Sequence, residues 1–148
     1  DETFFAFAED LDLSFRALIG GFKTMIIPKA LVWHKVRATA APTYTFSLYH
    51  RNLIWLIYKN LPTALLFLYL PHILANWLFI AVKSLFRGQF FTFILSLYKG
   101  IITIPKYRIE RRRIQNSRKV SLSKIRSMLT GNWLGVHWKL YKKSKTCG

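Results

Sequence analysis

The residues best suited to chemistry are acids near the start of the chain. Five of the six acidic residues lie in its first twelve positions, and two of them, Glu9 and Asp10, are adjacent. A carboxylate beside another acid and apolar side chains can have its basicity raised and serve as a general base. The structural alternative is that these acids complement the dipole at a helix start, worth about 0.3–1 kcal/mol each. The residue types by themselves favour this alternative.

A third acid, Asp12, completes the spelling Asp-x-Asp, which is typical of metal sites. Side chains two apart on a helix point about 200° away from each other, so Asp10 and Asp12 are not expected to hold one ion. Asp12 and Arg16 are four positions apart, which predicts an ordinary surface ion pair. Asp12 is therefore expected to be structural.

The elements that position these acids follow from periodicity. Apolar residues recur at helical spacing between Leu11 and Ile19, and Gly20-Gly21 ends the pattern, which predicts a short amphipathic helix beginning near Glu9. Residues 24–27 and 31–33 are short runs of branched and aromatic residues around a turn, which predicts two short strands. The first 35 residues are thus predicted to be helix, strand, strand.

The chain is both apolar and cationic, with 52% hydrophobic residues and a formal charge of +17. This composition favours an anionic membrane surface as partner over nucleic acid. Residues 44–61 and 62–87 are predicted to be long, mostly apolar helices. Residues 61–82 are long enough to cross about 30 Å of hydrocarbon, whereas 90–104 are too short to cross back comfortably. Cations flank every apolar segment, which favours helices lying in the interface or entering it shallowly; these cations are Lys59, Lys83, Arg87 and Lys106.

The segment from Lys106 to Arg126 is basic, with nine Lys/Arg residues and only Glu110 opposing them. A solvated helix face is the plain interpretation, but each cation near an anionic leaflet contributes about 1 kcal/mol, which favours membrane attachment. Three regions are therefore predicted: 1–42 with the acids, 43–105 with the apolar helices, and a basic helical tail over 106–148. The single Cys147 cannot form an internal disulfide.

Several motifs in about the first 60 residues belong together: the run from Phe4 to Arg16, then Gly20-Gly21-Phe22, Pro28-Lys29-Ala30, Val32-Trp33-His34 and Tyr49-His50-Arg51-Asn52. In these motifs the chain resembles the C-terminal part of family 2 glycosyltransferases. The match is closest to rhamnosyltransferase-like, membrane-associated members that build bacterial surface polysaccharides.

The resemblance implies the C-terminal piece of an α/β GT-A fold, a helix plus two short strands, followed by mostly α-helical, membrane-associated amphipathic helices. The chain is expected to be a fragment that lacks the N-terminal nucleotide-binding half. Asp10 would be the general base that deprotonates the acceptor hydroxyl, with Glu9 as the neighbour that tunes it. His34 would be a late ligand for Mg²⁺ or Mn²⁺, shared with an Asp-x-Asp motif of the missing half. An ordinary hydrogen-bonded histidine at a strand end is the alternative for His34.

Arg51, helped by His50, is the candidate cation for the donor diphosphate or a lipid phosphate, because a guanidinium binds such oxygens in bidentate fashion. An interfacial arginine beside the membrane is an equal alternative. Phe4, Phe5 and Phe7 could line an acceptor site, but plain packing is favoured. Processive members carry Gln-x-x-Arg-Trp where this chain has residues 49–52, and residues 115–119 only partly match that motif, so transfer of one or a few sugars is expected.

The predicted function is therefore that of part of an inverting glycosyltransferase in surface polysaccharide and cell wall biosynthesis. It would move a sugar from a nucleotide-sugar donor to a lipid-linked or glycan acceptor, at the cytoplasmic face of the bacterial inner membrane. The fragment alone is expected to be inactive. The first alternative is a non-catalytic membrane-anchoring or interaction segment. Nucleic-acid binding through the basic tail is not expected, because the long apolar middle does not suit it.

Overall fold

The computed structural model of the protein describes residues 1–25, 27–33 and 41–129. These residues are 74% helical. Six α-helices follow one another in the described part: α1 (Glu9–Ile19), α2 (Pro42–Asn60), α3 (Thr63–Leu85), α4 (Phe90–Ile102), α5 (Arg108–Asn116) and α6 (Leu122–Met128). Short 3₁₀ turns lie at Glu2–Phe4 and Ile104–Tyr107.

The first helix begins and ends where the sequence predicts. Helix α1 starts at Glu9, carries three acids in its first turn and gives way to Gly20-Gly21. Gly21 has a φ of 82°, a left-handed conformation that glycine adopts without strain. The two long helices predicted after Pro42 are confirmed as α2 and α3.

The prediction of an α/β fold with two short strands is wrong. The described residues contain no strand, and this part of the protein is all-α. Met25, Leu31 and Trp33 lie in irregular, exposed chain, with 86%, 88% and 99% of their surfaces accessible. Branched and aromatic residues form a strand only when a neighbouring backbone supplies hydrogen bonds, and no described segment pairs with these residues as a strand. His34 lies outside the described residues.

Helices α2 and α4 run parallel and in close contact. Ser96 Oγ donates a hydrogen bond to Ser47 Oγ at 2.9 Å, and farther along both helices Trp55 Nε1 donates to Thr103 Oγ1 at 2.8 Å. Between these contacts, a Cβ on Gly100 would lie only 2.6 Å from Cδ1 of Ile54. The absence of a side chain at residue 100 therefore allows the two backbones to approach each other.

Helix α2 is also the support for the flanking elements. One apolar cluster joins Phe4 to Trp55 and Tyr107, and a second joins Ile19 of α1 to residues of α3, α5 and α6. Segments from all three regions predicted from the sequence thus pack against the same helices.

Helix α3 is the one helix of the described residues long and apolar enough to cross a membrane. Only 6% of its most apolar 18-residue stretch is buried against other described residues. Helix α4 also leaves large apolar side chains exposed, including Phe91 and Ile102. The expectation of membrane association is supported to this extent by length, composition and exposure.

Candidate functional site

The turn before α1 has an unusual backbone. Phe5, Phe7 and Ala8 have φ values of 62°, 67° and 67°, and none of them is glycine. Each such conformation costs about 1–3 kcal/mol and persists only where the surroundings impose it. Glu9 and Asp10 follow this turn directly.

Asn52 of α2 holds the turn in place. Its side chain is fully buried, and the two N–H groups of Nδ2 are shared among the carbonyl oxygens of Phe4, Ala6 and Phe7, which lie 3.0, 2.8 and 2.8 Å from the nitrogen. Its Oδ1 accepts from Nε and Nη2 of Arg51 at 3.1 and 2.9 Å. Because a guanidinium only donates, this arrangement fixes which end of the amide faces the turn. We call Arg51, Asn52 and the carbonyls of residues 4–7 the turn clamp.

The clamped turn presents Glu9 and Asp10 to solvent at the start of α1. Asp10 Oδ1 accepts from the backbone N–H of Leu11 at 2.8 Å, which leaves its second oxygen without a protein partner among the described residues. An exposed carboxylate at the start of a helix, directly after a backbone turn held in one conformation, is available to take a proton from a bound hydroxyl.

Asp12 is not the surface residue that helical spacing predicts. It pairs with Arg16 as expected, Nε to Oδ2 at 2.8 Å, but its side chain is completely buried. Asn60 Nδ2 donates to its other oxygen at 2.6 Å. Asp10 is exposed and Asp12 is buried, so the two carboxylates face different environments.

Lys59 is the centre of a buried charge cluster. Its ammonium contacts Asp1, lies 3.5 Å from Asp12 Oδ1 and 3.4 Å from Glu110 Oε1, and sits 4.3 Å from the ring centroid of Phe4. A buried cation persists only where opposite charges replace its lost hydration. Lys59 therefore ties the start of the chain, α1 and α5 to the end of α2, and its ammonium is buried and not exposed beside the apolar segment that follows it.

Part of the predicted membrane-binding tail instead completes α2. Arg111 donates to the carbonyl of Tyr58 and, at 2.9 Å, to that of Leu61, while Gln115 Nε2 donates to the carbonyls of Lys59 and Asn60 at 3.1 and 2.9 Å. These groups satisfy carbonyls that a helix end leaves free. The amide of Gln115, the first residue of the partial Gln-x-x-Arg-Trp match, is therefore engaged within the fold.

The structure does not bring Arg51 and His50 together as one cationic site. The Arg51 guanidinium stacks 4.2 Å from the Trp55 ring centroid, beside the turn clamp. His50 packs between Phe46 and Phe93, with centroid distances of 4.4 and 4.9 Å. Burial lowers the pKa of His50 to about 4, so the imidazole is neutral at neutral pH.

The described residues contain no group of three His, Cys, Asp or Glu side chains that could hold a metal ion. Because His34 lies outside this part of the chain, its role as a ligand for Mg²⁺ or Mn²⁺ stays a prediction. Sequence reasoning missed the structural roles of Asn52 and Lys59. Their signal is polarity, since an amide and an ammonium stand within the apolar run of α2.

Comparison with family models, curated proteins and solved structures finds no match to this chain.

Proposed function

We propose that this chain carries the acceptor-activating part of an inverting glycosyltransferase, with Asp10 as the general base. The observation that carries the proposal is the turn clamp: three strained residues and a buried amide fix the backbone just before an exposed Glu-Asp pair. Such strain is typical of sites where geometry matters for function. A plain helix start needs no such arrangement, since exposed acids there act through the dipole alone.

In the proposed reaction the acceptor hydroxyl oxygen attacks the anomeric carbon of the donor sugar. The bond from that carbon to the nucleotide diphosphate breaks, the proton passes to Asp10, and the configuration inverts. Glu9 adjoins the base, and Asn52 and Arg51 position both acids by holding the turn that precedes them. A divalent metal held by His34 and a second domain would stabilise the charge on the leaving diphosphate.

A nucleotide-binding half is expected to cover the segment after α1. Large apolar side chains there are at least 63% exposed, which is unusual for a surface that faces only water. They are Phe22, Met25, Ile27, Leu31, Val32 and Trp33. In this proposal the same nucleotide-binding half would cover these side chains and supply the donor site. We therefore expect no transfer activity from the 148-residue chain alone.

The exposed apolar faces of α3 and α4 support a membrane-bound acceptor. A lipid-linked glycan at the cytoplasmic face of the bacterial inner membrane would have its reacting hydroxyl near the bilayer surface. Helix α1, which bears Asp10, belongs to the same helical bundle as α3 and α4, so membrane binding by these helices would bring Asp10 towards that surface. A non-catalytic membrane anchor is the second candidate, favoured by those same exposed faces. The two candidates differ in whether Asp10 is needed.

The test is Asp10→Asn in the enzyme that includes the nucleotide-binding half, assayed for transfer from a nucleotide-sugar to a lipid-linked acceptor. Asparagine keeps an oxygen for the Leu11 N–H but cannot take a proton, so kcat should fall about 10²- to 10⁴-fold. Glu2→Gln, an exposed acid in the same segment, is the matched control and should leave kcat unchanged. Full activity in Asp10→Asn would leave the membrane-anchor candidate.

A further inference from the structure

A small cavity with both apolar and cationic lining residues lies away from the Glu-Asp pair, where α2 meets the turn between α3 and α4. Its volume is about 160 Å³, and Lys83, Arg87, Gln89, His50 and Phe46 are among its lining residues. Neither Asp10 nor the turn clamp contributes to it. None of the proposed transfer chemistry accounts for this cavity.

The cavity carries positive charge without a protein counterion. Lys83 lies in the last turn of α3 and Arg87 in the turn that follows the helix, and both residues line the cavity. All six acids of the chain lie in the described residues, and the nearest to α3 and α4 in sequence, Glu110, pairs with Lys59. Two like charges that line one cavity repel each other weakly, and a bound anion would relieve that repulsion.

His50 supplies an independent sign of a ligand. It is only 7% exposed, it lines the cavity, and its ring nitrogens have no hydrogen-bond partner among the described residues. These nitrogens are not among the fully buried unpaired atoms of the described residues, so they keep accessible surface and can reach a group in the cavity. A neutral imidazole can donate one N–H to a group in the cavity.

We propose that Lys83, Arg87 and His50 bind the phosphomonoester headgroup of a membrane lipid. A monoester has three terminal oxygens and a charge between −1 and −2, which matches three donors of which two are cationic. A diester has only two such oxygens and one charge.

The surroundings favour a lipid over a free phosphate. Leu85 and Phe86 follow Lys83 at the end of α3, and Phe91 begins α4, with exposed fractions of 56%, 87% and 86%. These apolar side chains adjoin the charged cavity, so a headgroup in the cavity would leave its acyl or prenyl chain beside them. Lysine and arginine at the end of an apolar helix also lie at headgroup depth.

The test is co-sedimentation of the full 148-residue chain with phosphatidylcholine vesicles that contain either phosphatidic acid, a monoester, or phosphatidylglycerol, a diester, at matched surface potential. We expect the wild-type chain to prefer phosphatidic acid. Lys83→Gln/Arg87→Gln should lose about tenfold of that preference, which corresponds to ~1.4 kcal/mol. His50→Phe, which keeps an aromatic ring against Phe46 and Phe93, should lose part of it.

The matched control is Lys99→Gln/Lys106→Gln, which removes the same charge from exposed positions outside the cavity. It should weaken binding to both lipids equally. Equal behaviour of the two double variants would overturn the proposal and leave only general attraction to anionic membranes. An unchanged preference in His50→Phe would contradict the three-residue site.

Inorganic phosphate without vesicles is the second probe, followed through the NMR signals of the His50 ring. Binding of free phosphate combined with no preference among vesicles would overturn the lipid assignment. None of these measurements requires sugar transfer. The lipid site can therefore fail while Asp10→Asn still abolishes transfer, and the reverse also holds.

Discussion

At the scale of single residues, two buried polar side chains of α2 hold distant segments of the chain against this helix, a role that apolar side chains more often have. Asn52 supplies hydrogen bonds to carbonyls of a strained turn, and Lys59 places a buried cation among the carboxylates of Asp1, Asp12 and Glu110. Both are completely buried, and both reach segments far away in sequence. Their exchange for similar side chains should therefore have effects much larger than those of surface substitutions.

Asn52→Asp tests the turn clamp. The carboxylate still accepts from Arg51 but cannot donate to the three carbonyls, and it places acceptors against acceptors. The free energy of unfolding should fall by about 1–3 kcal/mol, and backbone amides of residues 5–8 should exchange faster with solvent. Urea unfolding and hydrogen exchange measure these effects. Asn116→Asp, the same change at an exposed position, is the control, and equal results for the two variants would refute the clamp.

Lys59→Met tests the buried charge cluster. Methionine fills similar space but removes the cation shared by Asp1, Asp12 and Glu110; because Arg16 still pairs with Asp12, the free energy of unfolding should fall by about 1–3 kcal/mol. Lys99→Met, on the exposed side of α4, should change it by less than about 0.5 kcal/mol. Thermal unfolding compares the two. Adding Asp12→Leu to Lys59→Met should recover part of the loss, and failure to do so would argue that the charges are not the cause.

At the scale of elements, the candidate site depends on how closely α2 can approach its neighbours. Asn52 lies on α2 between Ser47, which contacts α4, and Lys59, which contacts α1 and α5. The parallel contact of α2 with α4 is therefore continuous with the support of the turn. Serine and glycine at this contact let the backbones come close, a pattern also frequent between helices in lipid.

Gly100→Val should separate these two helices. The new side chain would meet Cδ1 of Ile54 at 2.6 Å and the carbonyl oxygen of Arg51 at 3.2 Å, so overpacking should lower the free energy of unfolding by about 1–3 kcal/mol. Ile101→Val, half-exposed on the same helix, is the control and should change little. Denaturant unfolding measures both. An additional Ile54→Ala should relieve the contact in Gly100→Val; no relief would place the strain elsewhere.

At the scale of the whole molecule, the described fold exposes two apolar surfaces. The exposed apolar residues after α1 form one, and the outer faces of α3 and α4 form the other. The first is proposed to meet a nucleotide-binding half and the second a bilayer. The same bundle would then join the base to the acceptor lipid.

Leu78→Asp tests the second surface. Leu78 is 68% exposed near the middle of α3, and a carboxylate there costs ~2.5–3.5 kcal/mol in hydrocarbon, so binding to anionic vesicles should weaken about 100-fold. Leu13→Asp, 62% exposed on α1, removes an equally exposed leucine outside the proposed membrane face. Flotation with vesicles compares them. Equal loss in both variants would mean that charge, and not insertion of α3, controls binding.

The sequence by itself determined the helices, because their signals are local. Helical spacing, acids before it and Gly20-Gly21 after it define α1, and long apolar runs define α2 and α3. The same local reasoning gave two strands that are not formed among the described residues, because a strand also needs a partner that local pattern does not contain.

Tertiary structure alone decided how the candidate site is held. Asn52 reaches the carbonyl of Phe4 across 48 positions, and Lys59 reaches Asp1 across 58. Burial also reversed two expectations. The spacing of Asp12 to Arg16 predicts a surface residue, and so does the position of Lys59 beside an apolar segment, but both side chains are buried. Spacing identifies which residues share a helix face. Spacing does not identify which other helix packs against that face. That packing decides whether a charged side chain is exposed to water or buried beside a counterion.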